Sequence, residues 1–419
     1  MPGQKLVIEG GKPLSGEIKV QGAKNSSLPI LAASLLCCGE SVLKNCPMLS
    51  DVYASCRILN RLGCKCRAEN NMVIVDSSSA DKAEIPDEMM REMRSSIIFM
   101  GALLGKFGYC SLSYPGGCEL GPRPIDMHLD AVRKMGASVN DEFGVIRCRA
   151  EKGLHGTKIS LKYPSVGATE NIMLAAVLAK GETIIYNAAR EPEIIDLGMY
   201  LNKCGAVVKG AGGSTIVIEG RERLHGCIHN IMPDRIAAAT YISAVAATRG
   251  EINILNFDAT LAESFLPVFE QMGCDVYVYD GNIYVGARKP LKGVGKIITM
   301  PHPGFPTDAQ AVVMAVLCRA KGSSIFEETI FESRYRHVNA LVKMGADIKT
   351  AGKAAVIEGV RKMYGAKVEA TDLRGGAAMA VAALGAEGIT EISELRYIDR
   401  GYESIENVLT SLGASVKRV

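Results

Sequence analysis

The chain has no apolar stretch long enough to cross a bilayer. Its longest apolar runs, such as "LPILAASLLCC" over 28–38, fall short of the roughly 18 residues that a spanning helix needs. The opening "MPGQKLVIEG" lacks the apolar core of a secretory signal, so the expected location is the cytoplasm. Thirteen cysteines are present, yet no two form a C-x-x-C pair, which sets aside zinc-ribbon and thioredoxin-like chemistry. In a large chain without a secretion signal these thiols are expected to be reduced, those in apolar settings (Cys37, Cys38, Cys56, Cys318) acting as small hydrophobes. A P-loop, an H-E-x-x-H helix and a G-x-S-x-G elbow are all missing. "GAGG" at 210–213 falls in a turn between strands, so it is no dinucleotide fingerprint, and no metal or cofactor is expected. Excess charge is scarce too: 48 basic against 45 acidic residues leave +3, too little for a nucleic-acid or membrane surface.

What is present is a soluble, globular composition, 48% hydrophobic and 22% charged, in 419 residues that call for two or more domains. One signature occurs six times: "RLGCKC" at Gly63, "KMGASV" at Gly136, "KCGAVV" at Gly205, "QMGCDV" at Gly273, "KMGADI" at Gly345 and "SLGASV" at Gly413. The successive spacings of 73, 69, 68, 72 and 68 define a unit of about 70 residues, in which a helix ends at a glycine and a strand follows. Each unit reads βαβαββ. The first helix is apolar all round ("ENIMLAAVLA", "IAAATYISAVAA", "GAAMAVAALGA"), and the second is amphipathic ("IDMHLDAVRKM"). A helix without a polar face must be buried, so six of them predict helices inside and sheets outside. A linear α/β solenoid is the competing architecture.

Closure is favoured by the ends of the chain. The sixth unit stops at "SLGASVKRV" without its last strand, while "KLVIEGGKPLSGEIKV" at the start parallels "TIVIEGRERLHGCIHN" and "AAVIEGVRKMYGAKVE". The N-terminal segment therefore supplies the missing strand. The expected domains are residues 22–231, with three units, and residues 1–21 plus 232–419, with three more, the active site lying in the cleft between them. His225, Cys227 and His229 alternate in "LHGCIHN" and could share a strand face as metal ligands, but the stretch is better explained as part of the repeat.

The loops before the buried helices share one phase of the repeat and bring Lys24 and Asn25, Arg91 and Arg94, Ser165 and Gly167, Asp234 and Arg235, Asp308, and Asp372 and Arg374 to helix N-termini. Such ends favour anions. The loops after the second strand supply Cys118, Arg123, Asp126, Glu191, Arg334 and Arg400. Guanidinium groups in this number suit a substrate with several phosphates or carboxylates, although any one arginine has an ordinary surface reading. Asp308 and Asp372 also fit simple N-caps. Cys118, between paired glycines and prolines in "YPGGCELGPRP", can be neither helical nor mid-strand.

"GAKNSSLPIL", "PGGCELGPRPIDMHL", "AAREPEI", "PHPGFPTDAQA" and "YIDRGYESIE" together resemble the UDP-N-acetylglucosamine 1-carboxyvinyltransferase family of the EPSP synthase superfamily, over essentially the whole chain. The resemblance implies a two-domain inside-out α/β barrel of six βαβαββ units. It also implies transfer of an enolpyruvyl group from phosphoenolpyruvate to the 3′-hydroxyl of UDP-N-acetylglucosamine with release of phosphate. By resemblance Cys118 is the loop thiol that donates a proton, can carry a phospholactoyl adduct and is the group fosfomycin alkylates. Asp308 stands near the attacking hydroxyl, and Lys24 and Arg400 join the catalytic set. Lys24, Asn25, Arg94, Arg123 and Arg400 are implied phosphoenolpyruvate contacts. Asn25, Arg94, Arg123, Pro124, Ile125, Asp126, Met127, Ser165, Val166, Gly167, Asp308 and Ile330 fall where relatives bind the nucleotide sugar. Glu191, Arg334, Asp372 and Arg374 belong to the same cleft. Tyr163 and Pro164 stand where some relatives carry a lysine. The sister enzyme 3-phosphoshikimate 1-carboxyvinyltransferase usually lacks the loop cysteine and has serine where this chain has Asn25. A non-catalytic repeat protein would not need Cys118 or Asp308.

Overall fold

In the computed structural model, residues 3–114 and 125–419 are described. They group into two compact units, one of residues 3–21 with 233–419 and one of residues 22–114 with 125–232. Each has its own continuous apolar core. The structure is mixed α/β, with six open four-stranded sheets, and no sheet closes on itself among the described residues.

Every four-stranded sheet has one pattern: a parallel pair, with two antiparallel strands added to one side. In four of the six, the parallel pair flanks the apolar helical segment, as a crossover connection requires. Those helices are buried as their composition predicts. All fourteen residues of Arg235–Thr248 are buried, as are all but one of Leu373–Gly385. In the first unit, Arg235–Thr248, Thr307–Leu317 and Leu373–Gly385 pack against one another. In the second, Phe99–Phe107 packs against both Lys24–Ser34 and Val166–Ala176. The "REMRSS" loop departs from simple coil: a short helix, Asp87–Glu92, leads into a 3-10 turn, Arg94–Ile98, and the α-helix begins only at Phe99.

The six signature glycines all have positive φ, between 94° and 101°. A side chain there would press Cβ against the backbone, which is why glycine recurs at this place after each outer helix.

Leu6–Glu9 lies between Ile389–Ser393 and Ser415–Arg418, antiparallel to both, and completes the sixth sheet. A linear solenoid has no such return. The next strand, Ser15–Lys19, does not join the sheet of the helix it precedes. It pairs in parallel with Glu251–Leu255, and Ile228–Asn230 takes the corresponding place beside Glu40–Lys44. Repeat phase fixes what kind of strand each is, but not which sheet receives it. No helix among the described residues is long and apolar enough to cross a membrane.

Candidate active site

In the unit of residues 3–21 and 233–419, a carboxylate is held between two buried cations. Asp308 is the second residue of Thr307–Leu317, whose N-cap is Pro306. Its N-cap reading therefore fails. Two residues beyond the cap, its side chain accepts at Oδ1 from Arg334 Nη2 (2.9 Å) and at Oδ2 from Arg374 Nη2 (2.9 Å). The guanidinium groups are 2% and 4% exposed, the carboxylate 28%, so the cations are fixed in the protein while the anion keeps an open side.

Each arginine is anchored a second time. Arg334 donates to Thr307 O from Nε (3.2 Å) and Nη2 (2.8 Å). Thr307 Oγ1 donates to Glu328 Oε2 (2.9 Å), and Glu328 Oε1 accepts from the backbone of Ile330 and Phe331. The loop bearing Ile330 is thereby tied to the start of the Asp308 helix. Arg374 donates to the Tyr402 hydroxyl (3.3 Å), which shares a hydrogen bond with Thr240 (2.8 Å). Burial alone would weaken the charge on Arg374, but Asp308, then Tyr402 and Asp234, outweigh it and hold its pKa above the ordinary arginine value. Asp372 is the N-cap that the sequence suggests: Oδ1 accepts from Arg374 N (3.1 Å) and Gly375 N (3.0 Å). Arg400 is half-buried at the end of a 3-10 turn, Ile398–Arg400, that packs on Leu373–Gly385. His337 is fully buried beside Asp372 and Arg334, and burial pushes its imidazole down to about 4.

The other unit holds a second set. Lys24, the first residue of Lys24–Ser34, pairs through Nζ with Asp51 Oδ2 at 2.8 Å, both side chains being nearly buried. Asn25 beside it is exposed. Ser165 caps Val166–Ala176 by accepting from Ala168 N (3.3 Å), leaving Ser165, Val166 and Gly167 half-buried at the helix start. Ile125 is the buried N-cap of Asp126–Lys134, with Asp126 exposed and Met127 half-buried. These two helix starts meet through His128, whose Cε1 lies 3.2 Å from where a Gly167 Cβ would stand and whose Nδ1 is 2.8 Å from Asn171 Nδ2. Glu191 is the N-cap residue of Pro192–Lys203, but it makes no side-chain cap bond. It keeps like-charged company: burial first, then Glu193 and Glu191, raise the carboxyl of Glu170 well above the usual range. Arg94 begins the 3-10 turn Arg94–Ile98. Cys118, Arg123 and Pro124 lie outside the described residues.

The alternating "LHGCIHN" residues do not share one strand. Leu224–His225 and Ile228–Asn230 are separate strands in different sheets. His229 Nε2 donates to Asp196 Oδ1 (2.8 Å), and Ser26 Oγ donates to the other oxygen of the same carboxylate. Cys227 Sγ faces Cys204 Sγ at 3.4 Å. Among the described residues no group of three or more such side chains could hold a metal. Asp51, His128, Thr307, Glu328 and Tyr402 escaped sequence reasoning. Of these His128, Thr307 and Tyr402 carried a signal, inside the "PGGCELGPRPIDMHL", "PHPGFPTDAQA" and "YIDRGYESIE" segments; Asp51 and Glu328 gain their place from partners distant in the chain.

The chain also matches known proteins over its length. A family model described as "EPSP synthase (3-phosphoshikimate 1-carboxyvinyltransferase)" matches residues 8–409. A protein of Caldanaerobacter subterraneus subsp. tengcongensis named UDP-N-acetylglucosamine 1-carboxyvinyltransferase 2 is 49% identical over 415 residues, covering 99% of each chain. One of Finegoldia magna named UDP-N-acetylglucosamine 1-carboxyvinyltransferase is 46% identical, covering 97% of this chain and 96% of the relative. The crystal structure of the enolpyruvyl transferase NikO from Streptomyces tendae shares the fold, with a TM-score of 0.90 at 24% identity over 99% of both chains. By near-half identity along its whole length, the chain belongs to the EPSP synthase family and, within it, to the UDP-N-acetylglucosamine 1-carboxyvinyltransferases.

Proposed function

We propose that the protein transfers the enolpyruvyl group of phosphoenolpyruvate to the 3′-hydroxyl of UDP-N-acetylglucosamine and releases inorganic phosphate. The observation that carries this reading is full-length identity of 44–49% to relatives bearing that enzyme's name. The reaction is the first committed step of peptidoglycan synthesis. It ties the enzyme to cell-wall assembly and cell shape, through them to division and the cell cycle, and to the cytoplasm. Each unit is, in this reading, an inside-out barrel of three repeats, and residues of both act on one pair of substrates.

The chemistry sets the roles. Addition breaks the sugar O–H bond, its proton passing to a base, and places the oxygen on C2 of the enol while C3 gains a proton; the adduct then loses a C3 proton and phosphate, which restores the double bond as an enol ether. Cys118 is the proton donor, a role a thiol among cations is suited to. Lys24, Asn25, Arg94, Arg123 and Arg400 hold the phosphate and carboxylate of phosphoenolpyruvate, with the cations countering the charge that leaves. Asp308 orients the attacking hydroxyl. Its fixed place between Arg334 and Arg374 supports that part, because an orienting group must not wander. Ile125, Asp126, Met127, Ser165, Val166, Gly167 and Ile330, with Pro124, receive the nucleotide sugar, and Asp372 and Glu191 shape the surroundings.

Incubation with both substrates is expected to release phosphate, and Cys118→Ser to lose nearly all turnover. Fosfomycin is expected to add its mass to a peptide containing Cys118. Shikimate 3-phosphate in place of the sugar is expected to release none. Equal turnover with that acceptor, or normal turnover in the serine variant, overturns the reading.

A further inference from the structure

At the opposite end of the buried helices from Asp308, the unit of residues 3–21 and 233–419 contains a cavity of about 290 Å³. It opens where Arg235–Thr248 and Thr307–Leu317 finish; the latter, at 11 residues, is about 16 Å long, so the cavity and the Asp308 cluster are well separated. Four cations line it: Arg249, Arg319, Lys321 and Arg361. None of the four makes an ion pair among the described residues. Glu387 is near enough to act on Arg319, but its carboxylate is held by Lys362 at 2.8 Å. The remaining wall is apolar and includes Leu291 and Val360.

Cations near helix C-termini have a plain role, answering the exposed carbonyls. The second unit shows that role fulfilled by one residue: Lys106 Nζ donates to Leu35 O (2.7 Å), Cys37 O (3.2 Å) and Ser77 O (3.3 Å). In the cavity only Arg319 is so engaged, through Nη1 to Gly385 O, and its buried Nε has no hydrogen-bond partner. Burial, then the neighbouring Arg249, pull the Arg319 pKa below its ordinary value, so the two guanidinium groups are close enough to oppose each other. Four cations with no paired anion, around a space the size of a small ligand, are more than two helix ends require.

We propose that this cavity is a second ligand site, distinct from the Asp308 cluster, which takes a small organic phosphate with its anionic group against Arg249, Arg319, Lys321 and Arg361 and its apolar body against Leu291 and Val360. Guanidinium groups suit phosphate oxygens through paired donors, and an anion would relieve the repulsion between Arg249 and Arg319.

The test uses the full chain and calorimetric titration with phenyl phosphate and with inorganic phosphate. Arg249, Lys321 and Arg361 are exposed, so Arg249→Gln/Arg361→Gln leaves the core untouched. The expected result is that phenyl phosphate binds more tightly than inorganic phosphate, and that the double variant weakens it by about tenfold or more while its circular dichroism and phosphate-release activity are unchanged. Equal binding by the variant and the parent protein overturns the site. Equal affinity for the two probes overturns the apolar part of the assignment. Because the decisive comparison is binding to a variant outside the active loops, it stands or falls separately from the enzymatic reading.

Discussion

Arg334 and Arg374 reach Asp308 from positions 26 and 66 residues further along the chain. That distance is why the local pattern offered Asp308 as a helix cap, its place in the site coming from the resemblance alone: a local pattern shows a carboxylate near a helix start, but not which cations will close on it. Asp372 was legible for the converse reason, since a cap is satisfied by its own next few residues. Asp308→Ala leaves two buried guanidinium groups without this counter-charge, so it is expected to lower stability by about 3 kcal/mol in urea unfolding, besides removing turnover. Asp308→Asn, of nearly the same shape, is expected to recover part of that stability and none of the turnover. His337 adds a pH dependence. Unfolded, its imidazole takes a proton near 6.5, whereas in the fold it does so only near 4. Between those values the unfolded state binds more protons, so stability falls as the pH drops through the window, by about 3 kcal/mol in all. His337→Gln is expected to flatten this limb of a stability-against-pH curve while leaving the limb above pH 7 in place.

Among the elements, the signature glycines were the most legible feature, because each marks a backbone shape that few other residues tolerate. They differ, however, in what surrounds them. Among the described residues nothing lies within 4 Å of an added Cβ at Gly413, whereas at Gly63 the Ser79 carbonyl would stand at 2.9 Å and the Asp81 carboxylate at 2.6 Å. Gly413→Ala is therefore expected to cost only backbone strain, about 1–2 kcal/mol, and Gly63→Ala clearly more, as thermal unfolding would measure. The buried helices were equally plain, since lack of a polar face leaves them nowhere else to go. What the repeat could not reveal was the exchange of Ser15–Lys19 and Ile228–Asn230 between sheets, because the two strands have the same phase and similar patterning.

For the whole molecule, that exchange makes the units unequal in what they need. Among the described residues, every strand pairing in the unit that runs from residue 22 to 232 is made within that span. Residues 22–232 expressed alone are expected to unfold as one cooperative transition by calorimetry, and residues 22–226, deprived of Ile228–Asn230, to lose it. Removing residues 3–10 is expected to weaken the other unit only, since Leu6–Glu9 bridges two strands of one of its three sheets.

The early strands also impose an order of events on the ribosome. Leu6–Glu9 and Ser15–Lys19 emerge well before their neighbours, which are encoded at 251–255, 389–393 and 415–418. Among the described residues the middle segment has its strand pairings once residue 232 has left the exit tunnel, while Ser15–Lys19 waits for 251–255 and Leu6–Glu9 for 389–393 and 415–418. A strand made early, Leu6–Glu9, is thus stitched in late.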